Sequence, residues 1–293
     1  MQQTKGLKLL FIVNNNSGNN QTDWLTVIEK HFESTDHITE FYELSADGNI
    51  DEIKKYIKKT MPDKIVAVGG DGTVKLAAGC IMEHSIPLAI IPAGSANGMA
   101  KELGIATDAE AALNTIIHGH NKKIHLVKIN DELCIHLSDI GFNAFMINEF
   151  DKLASRGMWG YAKASWAVIW KRQVMKVDIR IDGVLTTKNA AMIVIANATR
   201  YGTGALINPN GKLDDDVFEV IVIKQISVKE IFKMMVTHRP YDPEKTEVYQ
   251  TSYLQIHSKK KVHFQVDGEY LGKVNDIRAS ILENAIEIIV PAD

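Results

Sequence analysis

The residues best suited to do chemistry are Gly69, Gly70, Asp71, Gly72 and Thr73, which stand consecutively. They follow the apolar stretch Lys64–Val68 and precede Val74, Ala77, Ala78 and Ile81 at helical spacing, which puts them on a loop between a predicted strand and a predicted helix. Glycines let backbone N–H groups approach a phosphate without interference from Cβ. The helix that follows offers its positive end to the same anion. A Gly-Gly pair alone reads as a tight turn. In this strand–loop–helix setting the run reads as a phosphate-binding loop. The chain has no GxxxxGKS/T run and no GxGxxG after a strand, which excludes a P-loop and a dinucleotide fingerprint. A second loop, Ile91-Pro92-Ala93-Gly94-Ser95-Ala96-Asn97, again joins a strand (Leu88–Ile91) to a helix. In isolation Ser95 and Asn97 read as helix caps. Beside the first loop, on a neighbouring parallel strand, they become candidate ligands for a nucleotide's phosphate or ribose.

The elements around these loops alternate in type. Leu9–Val13 reads as a strand, and Trp24, Val27, Ile28 and Phe32 fall on one helical face. Ile53, Tyr56 and Ile57 mark a second helix. Thr107 and Glu110 read as a capping box before a helix carrying Ala112, Leu113, Ile116 and Ile117. Such alternation predicts a mostly parallel sheet covered by helices. After about residue 122 the pattern changes. Val177, Ile179 and Ile181 alternate with polar residues and lead into Asp182-Gly183, a hairpin signal. Val262, Phe264 and Val266 lead likewise into Asp267-Gly268. Val217–Ile223 and Ile286–Val290 read as further strands, and 149–172 and 228–237 as helices. The fold predicted is an α/β nucleotide-binding domain over 1–122 and a β-sandwich over 123–293.

A net charge of −3 argues against a nucleic-acid partner, which would call for a basic surface. Cys80 and Cys134 lie in no CxxC or Cys/His cluster, which argues against zinc and fits a reducing compartment. The apolar run Leu7–Val13 is too short to cross a bilayer. The expected location is cytoplasmic, with membrane contact only peripheral.

Taken together, GGDGT, PAGSAN and the late Val266-Asp267-Gly268-Glu269 resemble the diacylglycerol kinase catalytic family, whose nucleotide-binding fold is shared with NAD kinase and phosphofructokinase. The resemblance begins at Val13-Asn14-Asn15-Asn16-Ser17-Gly18, similar to the family's NPxSG loop, and spans nearly the whole chain. It implies that Asn14, Ser17, Gly18, Gly69 to Thr73, Gly94, Ser95 and Asn97 bind ATP. It implies that Asp267 or Glu269 deprotonates the acceptor hydroxyl, with Asp71 as a further candidate. If the chain stays extended there, Asp267 and Glu269 project to the same side. The run from Asn210 to Phe218 resembles the family's LDDGLL loop, which implies Mg²⁺ on Asp215 and on the carbonyls of Lys212 and Val217. Three positions depart from the family pattern: Leu76 replaces a glutamate, Gly98 an aspartate and Asp216 a glycine. PAGSAN is closer to the sphingosine and ceramide kinases. With few residues after Val290, little chain is expected to return to the first domain.

The reading is therefore an ATP- and Mg²⁺-dependent kinase acting on a lipid hydroxyl, diacylglycerol or a sphingoid base, at a membrane surface. A homodimer is compatible with the sequence. A soluble-metabolite kinase related to NAD kinase, or a non-catalytic nucleotide- or lipid-responsive protein, are the alternatives. Trp159, Trp166 and Trp170, followed by Lys171, Arg172 and Lys176, read as core packing with a solvated basic end or as a contact with lipid. The ten histidines show no metal-ligand spacing.

Overall fold

The structure, a computed structural model, describes residues 6–18, 22–45, 49–145, 147, 174–201, 206–227, 230, 233, 237, 239 and 241–292. The chain divides into two units, Met1–Ile124 with Asn284–Asp293, and His125–Glu283.

In the first unit, short apolar runs form a parallel sheet of β1 (Lys8–Val13), β2 (Ile38–Glu43), β3 (Lys64–Gly69) and β4 (Leu88–Pro92), in the order β2-β1-β3-β4. Leu9, Phe11, Val66, Val68, Ala89 and Ile91 pack against Trp24, Ile28 and Phe32 of α1 (Trp24–Phe32) and Ala112, Leu113 and Ile116 of α5 (Ala109–His118). The alternate residues Leu10, Ile12, Ile65, Ala67 and Leu88 are buried as well. Strands buried on both faces have continuous apolar sequences, which is why these three were legible. β2 was not. It lies at the sheet edge, Ile38 is exposed, and Thr39, Glu40 and Glu43 interrupt its apolar pattern. The capping box at Thr107 is displaced by one residue: Asp108 is the cap, accepting from the Ala111 N–H at 2.9 Å. The remaining helices are α2 (Ile50–Thr60), α3 (Asp71–Ile81) and α4 (Gly98–Glu102).

The last residues correct the predicted domain plan. They were expected to stay with the second domain, but Asn284–Asp293 belong to the first unit. Ile288 pairs parallel with Leu88 of β4, and Ile289 fills the same core as Phe11 and Ile91. A run of Ile286, Ile288 and Ile289 placed there completes the buried face of the sheet, which outweighs its nearness in sequence to the other unit.

The second unit contains β5 (His120–Ile129, from His125 onward), β6 (Glu132–Cys134), β7 (Leu137–Gly141), β8 (Met175–Ile181), β9 (Val184–Ala190), β10 (Met192–Ala196), β11 (Phe218–Ile223), β12 (Thr246–Thr251), β13 (Tyr253–Val266) and most of β14 (Glu269–Val290). Its strands pair antiparallel. β13 takes part in two layers. Leu254–Ser258 pair with β8, and Phe264–Val266 pair with β7, which continues to β10, β11 and β12. Register shifts after His257 and His263 bend the strand between these stretches. Val177, Ile179 and Leu254 from one layer then share a core with Ile140, Ile193, Phe218 and Val220 from the other. This is the predicted sandwich, with alternating inward residues meeting across one apolar layer. The expected helix at 149–172 lies outside the described residues, as does most of 228–237. Among the described residues no helix is long and apolar enough to cross a membrane.

Candidate active site

Three loops meet beyond the C-terminal ends of β1, β3 and β4. Parallel strands put these ends on one edge, and the sheet order reverses at β1, where ligands of such sheets bind. Asn14 Nδ2 donates to Thr73 Oγ1 at 3.2 Å, and Asn14 Oδ1 accepts the Asn16 N–H at 3.1 Å. Ser17 Oγ donates to Asn14 O at 2.9 Å and lies 3.3 Å from Ala93 O. The first loop is thus bonded to both others. Gly18 has φ +69°, and a Cβ there would fall 2.8 Å from Ala93 O. The second and third loops touch backbone to backbone: a Cβ on Gly94 would fall 2.4 Å from Gly70 Cα.

Asp71 completes this junction. Its carboxylate accepts the Gly98 and Met99 N–H groups, each at 2.9 Å. It therefore caps α4 from another loop. Asn97, the local candidate for that cap, has φ 50° and makes no cap bond. Its amide closes on Gly94 instead, accepting from Gly94 N and donating to Gly94 O at 2.8 Å each. Gly98, where the family pattern has an aspartate, serves as a backbone donor to Asp71.

The predicted nucleotide residues thus divide by what they touch. Asn14, Ser17, Asp71, Thr73 and Asn97 bond to one another or to neighbouring loop backbone and build the loops. Gly69 is buried, and a Cβ there would fall 2.2 Å from Thr73 Oγ1. Gly70, Gly72 and Ser95 are left on the accessible side, Gly72 and Ser95 being exposed. Thr73 and Val74 N–H both bond Gly70 O, at 3.0 and 3.1 Å. Helix geometry gives the Asp71 and Gly72 N–H groups no acceptor within α3. A Cβ on Gly72 would meet nothing within 4 Å among the described residues, so an anion can come close there.

In the second unit Asp267 and Gly268 have φ 51° and 87° and form the two-residue turn between Val266 and Glu269. Two left-handed residues reverse the chain, so the expectation of an extended stretch with Asp267 and Glu269 on one side does not hold. The Asp267 carboxylate accepts the N–H groups of Ile135 at 3.1 Å, His136 at 2.8 Å and Leu137 at 3.3 Å. Its own N–H donates to Leu137 O at 2.9 Å. Glu269 stands exposed at the start of β14.

Asp215 is half-buried. Its Oδ1 is buried with no hydrogen-bond partner among the described residues. Burial pushes its carboxyl above the usual carboxylate range, the Lys212 ammonium pulls it down, and the Val217 N–H bonds to it. A desolvated carboxylate oxygen without a partner fits a cation. Among the described residues no three His, Cys, Asp or Glu side chains are grouped to hold a metal. A cation here would draw its other ligands from carbonyls and water, the habit of Mg²⁺ and Ca²⁺. Asp216 is not among the positive-φ residues, so the turn does not require the family's glycine, and its Oδ1 lies 3.9 Å from His125 Nε2.

Two residues escaped sequence reading. Asp139 is fully buried in β7, and Gln265 is buried opposite it in β13. The available signals were an aspartate among Ile135, Leu137 and Ile140 and a glutamine just before Val266-Asp267. The Trp159–Trp170 segment, with Lys171 and Arg172, lies outside the described residues.

Residues 8–129 match the diacylglycerol kinase catalytic domain, and residues 139–290 match the YegS C-terminal NAD kinase beta sandwich-like domain. An uncharacterised protein from Synechocystis sp. is 27% identical over 311 residues, covering 99% of this chain and 71% of the relative. A diacylglycerol kinase from Staphylococcus aureus is 26% identical, covering 79% of this chain and 75% of its own. The crystal structure of a diacylglycerol kinase from Bacillus anthracis matches with a TM-score of 0.73 over 98% of both chains, a likeness of fold at 19% identity. With the glycine loops, the late Asp-Gly-Glu turn and the two-unit architecture already in place, the chain belongs to the diacylglycerol kinase family of lipid kinases.

Proposed function

We propose that this chain transfers the γ-phosphoryl group of ATP to a hydroxyl of a membrane lipid, diacylglycerol or a sphingoid base, with Mg²⁺. The observation that carries the reading is the junction of three loops around Gly70 and Gly94, held by Asp71, with helix-start N–H groups on its accessible side. Backbone donors at a helix start suit a polyphosphate. Gly70, Gly72 and Ser95 meet the phosphates, while Asn14, Ser17, Gly18, Gly69, Asp71, Thr73, Gly94 and Asn97 hold the loops in shape. Mg²⁺ supplies charge neutralisation when bound. Asp215 and the carbonyls of Lys212 and Val217 would hold it.

The acceptor hydroxyl must lose a proton as the phosphoryl group transfers. Of the three carboxylates proposed for that task, Asp71 and Asp267 already accept two and three backbone N–H groups. We assign the proton to Glu269, which is exposed, and make Asp267 the anchor of its turn. The location that goes with this reading is cytoplasmic and peripheral to the membrane.

The test is transfer of labelled phosphate from ATP across a panel of diacylglycerol, ceramide, sphingoid base and soluble acceptors including NAD. Label in a lipid is the expected result. Label only in a soluble acceptor, or in none, would overturn the reading. For the metal, Asp215→Ala should raise the Mg²⁺ concentration needed for half-maximal rate, and an unchanged titration would make this loop a solvated turn.

A further inference from the structure

We propose that Asp139, acting through Gln265, is a positioning residue for the Asp267–Glu269 turn: it locks the Gln265 amide in the one orientation that holds the Gly268 N–H, and so sets where the Glu269 carboxylate stands. The inference rests on the reading of Glu269 as proton acceptor.

The two residues face each other directly across β7 and β13. Gln265 Nε2 donates to Asp139 Oδ2 at 2.6 Å, and Gln265 Oε1 accepts the Gly268 N–H at 2.7 Å. Ser138 Oγ donates to Gln265 O at 2.6 Å and pins the backbone beneath. An amide has one donor end and one acceptor end. If it turned over, its NH₂ would face the Gly268 N–H, donor against donor, and its oxygen would face Asp139. A carboxylate only accepts, so Asp139 forbids that state while it is ionised. A buried asparagine at 139 would permit it.

Among the described residues, the other hydrogen-bond partners of Asp139 are donors as well. Asp139 Oδ1 accepts the Ala144 N–H at 2.9 Å. Asp139 Oδ2 also accepts from Asn143 Nδ2 at 2.6 Å and the Tyr201 hydroxyl at 3.3 Å. Among the described residues, Tyr201 is the titratable group bonded to it, and burial raises that hydroxyl well above its ordinary value, so it stays a neutral donor. Burial pushes the Asp139 carboxyl up to about 6, with its hydrogen bonds from Asn143, Gln265, Ala144 and Tyr201 opposing the rise. A charge kept at that cost suits a position where an acceptor that never donates is needed.

Three variants test the lock: Asp139→Asn, Gln265→Glu, and the two together, which exchange donor for acceptor across the pair. Two quantities are read, hydrogen exchange of the Gly268 amide by NMR, and kcat with the KM for ATP on the lipid acceptor. Each single change is expected to speed Gly268 exchange and lower kcat by about tenfold or more, since displacement of a reacting group by ~1 Å can cost about 10²-fold. The KM for ATP should stay put. The double variant should recover most of both losses, which a generally damaged core would not do. Should Asp139→Asn fail to fold, Gln265→Glu supplies the same readings by placing two carboxylates together. Unchanged Gly268 exchange, or faster exchange with wild-type kcat, overturns the proposal. If the wild-type protein phosphorylates no lipid, the Glu269 reading falls, and Gly268 exchange alone then decides the lock.

Discussion

Two turns in the second unit have the same sequence and nearly the same backbone. Asp182-Gly183 joins β8 to β9 with φ 49° and 80°, and Asp267-Gly268 joins β13 to β14 with φ 51° and 87°. Both are the left-handed pair that suits a two-residue hairpin, and the Asp-Gly dipeptide suffices to specify it. The carboxylates differ in what they reach. Asp182 Oδ1 accepts one hydroxyl, from Thr251 at 3.1 Å, at an exposed tip. Asp267 accepts three successive backbone N–H groups from 135–137, and Gln265 and Asp139 lie behind it. Local sequence makes a turn; the strands packed beside it make one of the two turns a candidate catalytic element. Asp71 follows the same rule in the first unit, where a glycine-flanked aspartate is drawn to the N–H groups of a distant loop.

The largest expected effect is on rate. Glu269→Gln should lower kcat by about 10²–10⁴-fold with ATP affinity retained, the usual range for a lost general base. Val184 holds the equivalent place after the other turn, and Val184→Ala should leave kcat at the wild-type value. A Glu269→Gln enzyme keeping more than about a tenth of kcat would remove Glu269 from the role by the same scale.

Next comes stability. Asp267→Ala leaves three backbone donors without their charged acceptor, and bonds of that kind contribute about 1.5–3 kcal/mol each, so a loss of at least about 3 kcal/mol is expected in chemical denaturation. Asp182→Ala gives up one part-buried hydroxyl bond, from Thr251, and should cost less, about 1.5–3 kcal/mol. Equal losses would break the comparison.

The pH dependence sharpens it further. Asp139 titrates near 6 when folded against an ordinary 3.8, so between those values the folded chain keeps a proton that the unfolded chain has lost. Its contribution to stability is therefore greatest below about pH 4, falls as pH rises to about 6, and is flat above. The shift corresponds to about 3 kcal/mol. The unfolding free energy of wild type minus that of Asp139→Asn should fall by about that amount from pH 4 to 7. A constant difference would show that the carboxyl behind the second turn carries no burial penalty.

Much of the architecture was legible because the signals are local. Buried parallel strands such as Leu9–Val13 and Leu88–Ile91 read as unbroken apolar runs, amphipathic helices as 3.6-residue spacing, and hairpins as Asp-Gly. The edge strand Ile38–Glu43 was missed because half of it faces water and its apolar pattern is broken. The glycine loops were legible as a site. Which of their residues face a ligand was not, because Asp71 and Thr73 find partners tens of residues away in the sequence, and Asn97 closes on Gly94 within its own loop.

By itself, then, the sequence determined the strand–glycine loop–helix units, the two Asp-Gly turns, the change from parallel to antiparallel patterning and the family. Each depends on propensity, period or glycine chemistry within a few residues. Only the tertiary structure decided that Asn284–Asp293 return to the first unit, that Asp71 and Asp267 are bound to backbone, and that Asp139 stands behind Gln265. A polar side chain has several acceptors or donors it could satisfy. Which one it meets depends on strands brought together from far along the chain, and on the cost of leaving a buried N–H unpaired once they meet.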